Sequence, residues 1–153
     1  MQSNHDINVL NSLITTTIDS VDGYRKAAEQ ADNAQFRSIF MARADEREEV
    51  LRELQSQVRN LGGRPNEDGS TLAGAHRFIL NVRDALTRRD DQAVIAEVER
   101  GEDHIKHKYE AALADTGLSP HCRDLVERCF RSVKEGHDQM RDLKHGVSGG
   151  AAL

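Results

Sequence analysis

Residues 36–61, FRSIFMARADEREEVLRELQSQVRNL, decide the fold. The segment carries one apolar stripe at the spacing of three and four residues that an α-helix places on one face, so it reads as a long amphipathic helix. Arg43 and Arg47 fall near the centre of that stripe. A helix that turns arginines toward a core needs carboxylates opposite them, because an unpaired buried charge is severely penalised. Those partners must come from the rest of the chain.

Upstream, residues 4–31 read as a first long helix, with Ser3 as its cap and Ile7, Leu10, Ile14, Thr17, Val21, Tyr24 and Ala28 as its inner face. Asp32 or Asn33 caps helix two, with Gln35 three residues after Asp32 as in a capping box. Downstream, Gly62-Gly63 with Pro65 just beyond stops helix two. Residues 62–70 form a polar loop, and Ser70 opens a short helix over 71–87 whose buried side is Leu72, Ile79, Val82 and Leu86. Asp90 caps a third long helix reaching about residue 114, and Thr116-Gly117 ends it. Ser119-Pro120 supplies a cap and a first-position proline for a last helix running to about residue 144. The fold expected is therefore all-α, with residues 1–145 as one helical bundle and 146–153 as a disordered tail. Long helices of about 25 residues span about 37 Å, so the connection 62–89 is long enough to run back along the bundle. Helices two and three are then parallel, and the short helix lies within a single long crossover, the ferritin-like arrangement.

Composition agrees. The 153 residues suffice for one domain with a real core, and 31% charged residues with 4% aromatics and two prolines suit an all-helical chain. The net charge of −5, with both signs interleaved, gives no basic stripe for nucleic acid and no attraction to an anionic membrane. No apolar run approaches a membrane span, and the first ten residues lack the pattern of a signal peptide, so a cytoplasmic location is expected. Cys122 and Cys129 lie seven residues apart on one helix, about 10 Å along its axis, too far for a mutual disulfide. Both fall on the apolar face and read as small core residues.

The stretches Asp19-Ser-Val-Asp-Gly-Tyr24, Ala44-Asp-Glu-Arg47, Gly62-Gly-Arg-Pro65 and Glu99-Arg-Gly-Glu-Asp103, the last followed by Tyr109, resemble an uncharacterised bacterial family of ferritin-like four-helix bundles. The resemblance covers about residues 5–145. It implies the fold and a relationship to the ferritin and rubrerythrin group, whose members bind two metals, but no established activity.

Such a di-metal centre takes one Glu from each of two helices and a Glu-x-x-His from each of the others, all pointing inward. Projection of this chain at about 100° per residue supplies few of them. Helix one offers Thr17, Val21 and Tyr24 inward, with Asp19 opposite the core and Asp22 on its margin. Glu46 lies about a quarter turn off the stripe of helix two and Glu49 further out, although a π-bulge would rotate both inward. In helix three Glu102 sits at the core edge beside Val98, Ile105 and Tyr109, with Glu99 more peripheral. In helix four His137 sits at the core edge between Val133 and Met140, and the residue three before it is Lys134.

The economical reading pairs Arg47 or Arg43 with Glu102, helped by the hydroxyls of Tyr24 and Tyr109, so that an ion pair stands where relatives hold metals. That expectation is a non-enzymatic bundle with no cofactor, associating as a homo-oligomer, with a dimer favoured; a link to stress physiology comes by fold analogy. The alternative is an iron- or manganese-binding oxidase or iron-handling protein using Glu46, Glu49, Glu99, Glu102 and His137. His104 and His107 form a His-x-x-His projecting to solvent, read as part of a polar face. Gly23 and Gly101 inside helices each cost about 1 kcal/mol relative to Ala, and Gly101 projects inward, where close helix approach is the expected reason.

Overall fold

The computed structural model describes residues 2–31, 33–70, 81, 84, 85, 87, 88 and 91–148. Among these, four long helices account for nearly everything and no strand occurs: α1 (Gln2–Gln30), α2 (Ala34–Asn60), α3 (Asp91–Ala114) and α4 (Pro120–Ser148). Local chemistry sets most of the ends. Asn33 caps α2 from an extended conformation, its side chain accepting the Phe36 N–H at 3.1 Å. The other end closes where Gly62 takes φ +84°, the left-handed region glycine enters without penalty, and Gly63 N–H reaches back to Val58 O at 2.9 Å. Ser119 caps α4 through Cys122 N–H, with Pro120 at the first helical position.

Two ends depart from the sequence reading. Ser3 lies inside α1, which already begins at Gln2. The last helix continues to Ser148, with His145 in its final turn, where a basic group suits the helix dipole. Of the short helix expected over 71–87, residues 81, 84, 85 and 87 are described and are helical; the rest of it, and the Asp90 cap, lie outside the described residues.

Cross-helix contacts fix the topology. His5 meets Asp115 at 2.9 Å and Thr17 meets Tyr109 at 2.9 Å, so α1 and α3 run antiparallel. Arg43 meets Gln139, and Gln57 meets Cys122, so α2 and α4 do the same. Since α1 and α2 are joined by a tight turn, α2 and α3 are parallel, and the chain between them must return along the bundle. Its first part, residues 63–70, runs along α1. Gly63 packs on Ile7, Asn66 bonds Asn11 and Thr15, and Ser70 N–H donates to Asp19 Oδ1 at 2.8 Å.

The core has two apolar parts. Leu10, Leu13, Ile14, Val50, Leu54, Val58, Ile105 and Val126 belong to one, toward the turn between α3 and α4. Tyr24, Ala27, Phe36, Phe40, Val94, Ile95 and Met140 belong to the other, toward the turn between α1 and α2. Between them lies a polar layer.

Candidate functional site

The buried face of α2 is Phe36, Phe40, Ala44, Arg47, Val50, Leu54 and Val58, an unbroken succession of three- and four-residue steps. Helical periodicity therefore carries Arg47 into the core with its apolar neighbours. Its side chain is 0% exposed, and the Glu102 carboxylate facing it from α3 is 2% exposed. The two form a bidentate pair: Arg47 Nη1 donates to Glu102 Oε1 at 2.7 Å and Nη2 to Oε2 at 2.8 Å. Nη1 also donates to Ser20 Oγ on α1 at 2.7 Å. The guanidinium carbon lies 5.7 Å from the centre of the Tyr24 ring, within reach of cation–π attraction. On α4, Gly136 presents bare backbone to the pair. All four helices thus meet at one charge-neutral junction.

Burial alone would weaken the protonation of Arg47, but the Glu102 charge and its hydrogen bonds more than offset that, and the guanidinium ends above its ordinary value. Burial, followed by the nearby Glu102 charge, pushes the Tyr24 phenol well above its ordinary range. Tyr24 Oη, Arg47 Nε and Glu99 Oε2 are buried without a hydrogen-bond partner among the described residues.

The other sequence-derived candidates lie near this junction without joining it. Arg43 is half-buried and serves Glu46 Oε1 at 2.8 Å and Gln139 Oε1 at 2.7 Å. Glu46 also accepts from Ser132 on α4. His137 is buried but turns toward α3 and its own helix, its Nε2 2.5 Å from Asp103 Oδ1 and its Nδ1 3.3 Å from Asp138 Oδ1. Tyr109 makes its hydrogen bond to Thr17 and not to the ion pair, although the Arg47 charge is near enough to favour its phenolate. It sits two turns further along α3, in the apolar part of the core, and its hydroxyl meets Thr17 Oγ. The Thr17 proton goes to Leu13 O at 2.7 Å, so Tyr109 is the donor. Glu99 Oε1 faces Lys144 at 3.5 Å, and Glu49 is exposed. No π-bulge interrupts α2, so nothing rotates Glu46 and Glu49 inward.

Among the described residues, no three His, Cys, Asp or Glu side chains come together in a group able to hold a metal ion. The two oxygens of Glu102 are both taken by Arg47, and a guanidinium in contact with that carboxylate repels a dication. The described residues do not fit a di-metal centre.

Several participants escaped sequence reading. Ser20 is half-buried and looks like an ordinary helix-surface hydroxyl in the sequence. Gly136 on α4 stands against the pair, a contact that no single-helix projection reveals. Asp6 is 2% exposed and accepts Ser119 N–H at 3.0 Å, tying the start of α1 to the α3–α4 turn. Asp19, placed opposite the core by projection, is covered by the returning crossover, and burial raises its carboxyl above the ordinary value. His104 and His107 are exposed, as projected.

A family model described as "Domain of unknown function (DUF2383)" matches residues 5–115. That stretch takes in Ser20, Tyr24, Arg47 and Glu102 and stops short of α4. No curated protein matches the sequence significantly. The chain belongs to this family of domains of unknown function.

Proposed function

We propose that this member of the family is a non-catalytic bundle of the ferritin-like class, in which the Arg47–Glu102 ion pair takes the midplane position that metal-binding relatives of that class give to two metal ions. It serves as a structural or interaction module and associates with itself in the cytoplasm. The observation that carries the reading is the pair itself: a bidentate guanidinium–carboxylate contact, 0% and 2% exposed, at the junction of all four helices. The parallel α2 and α3, joined by a long crossover, support the class. A role in stress physiology rests on fold analogy alone.

Elemental analysis tests this on protein from cells grown with iron, manganese and zinc, before and after reconstitution. The expected result is far less than one metal per chain, with no change in Glu102→Ala. About two metals per chain, lost in Glu102→Ala, would overturn the proposal and establish the oxidase or iron-handling reading.

A further inference from the structure

Gly136 lies in the interior of α4, where glycine lowers the folding equilibrium constant roughly fivefold relative to alanine. Its surroundings account for it. A β-carbon built on Gly136 would stand 2.5 Å from Arg47 Nη2, 2.6 Å from Glu102 Oε2 and 3.1 Å from Arg43 Cδ. The tips of long side chains usually yield to such a clash. These two cannot, because each is held by the other through two short hydrogen bonds and neither has solvent into which to swing.

We infer that Gly136 is a notch that fixes the axial register of α4 in the bundle. The neighbouring inward positions of α4 are filled: Val133 and Met140 are fully buried, and Ser132 reaches Glu46. Sliding α4 by one turn, about 5.4 Å, would carry one of these side chains onto the guanidinium. The same slide would break the contacts of Arg43 with Gln139 and of Glu46 with Ser132. Apolar contacts between helices are non-directional and tolerate sliding. A bidentate ion pair covered by bare backbone does not. The pair and the notch therefore select one packing from those that the apolar stripe of α4 would accept, the registry role best attested for buried polar groups.

This inference goes beyond the non-catalytic reading and does not depend on it: one is read in metal content, the other in stability coupling. The experiment is a mutant cycle on the full chain. Gly136→Ala is made in the wild type and in Arg47→Met/Glu102→Leu, whose apolar tips are not tethered to each other, and each is unfolded in urea. In the wild type, alanine is expected to lower the folding equilibrium constant about tenfold or more, overpacking outweighing the gain in helix propensity. Failure of that variant to fold, with recovery in the Met/Leu background, supports the same conclusion. In the Met/Leu background alanine is expected to be neutral or favourable. NMR contacts between Glu46 and Ser132 should be single in the wild type and multiple once the pair is gone. Alanine that stabilises the wild type, or that costs the same in both backgrounds, overturns the inference.

Discussion

Replacing Arg47 by leucine should destabilise the bundle severely, and replacing both members of the pair should not. In Arg47→Leu the Glu102 carboxylate stays 2% exposed but loses both guanidinium hydrogen bonds. Removing one partner of a buried ion pair typically costs about 3–5 kcal/mol, because the remaining charge keeps its full desolvation penalty. Leucine returns part of the lost packing, and the exposed side of Ser20 can turn to water, so neither adds much to that figure. A domain of this size has about 5–15 kcal/mol in total, so the loss is a large share of its stability. In thermal unfolding it corresponds to a drop in midpoint of about 6–20 °C. The double variant Arg47→Met/Glu102→Leu removes both desolvation penalties and fills the space with apolar atoms; such replacements are often neutral or stabilising by about 1–4 kcal/mol. Urea and thermal denaturation followed by circular dichroism measure these. An Arg47→Leu variant within about 0.5 kcal/mol of the wild type, the range of ordinary surface substitutions, would show that the pair is not the dry contact its geometry describes.

The two tyrosines should respond in opposite ways: Tyr24→Phe removes a buried hydroxyl that has no hydrogen-bond partner among the described residues and should be neutral or gain about 1 kcal/mol, whereas Tyr109→Phe loses its bond to Thr17 and should cost about 1 kcal/mol. The opposite ordering in chemical denaturation would refute the assignment of these hydroxyls. Burial, followed by the neighbouring Glu53, pushes the Cys129 thiol up to about 12, so thiol reagents at pH 9 should leave it unmodified until the chain unfolds. Since its folded value lies above the ordinary 9.0, its contribution to stability is present below pH 9 and is lost as pH rises toward 12; rapid alkylation of the folded chain would contradict this.

The architecture was legible because long helices write their burial into the sequence every three or four residues. Arg47 is the clearest case: Ala44 and Val50, one turn to either side, are apolar and buried, so the arginine between them has to be inward. Glu102 was legible in the same way from Val98 and Ile105. What escaped depends on how separate helices approach one another. Nothing local distinguishes Ser20 from a solvent-facing serine, and Gly136 looks like a weak helix residue until α2 and α3 are packed against it. The cover over Asp19 is not legible in α1, because the segment that supplies it arrives from about fifty residues further along, which no projection of α1 alone can include. Tyr109 was drawn toward the ion pair by its place on the inner face of α3, but the face position does not fix height along the axis, and Thr17 lies closer.

The dryness of the Arg47–Glu102 contact also constrains how these two positions can change over time. Any single replacement passes through an intermediate that has lost a substantial part of its folding free energy. Drift at one position is therefore blocked unless the other changes with it, and lineages should inherit the two as a unit. In an alignment of this family, residues 47 and 102 should covary, sorting its members into those that keep arginine opposite glutamate and those that have exchanged both. Members carrying carboxylates at both positions would be the ones in which to look for metal chemistry.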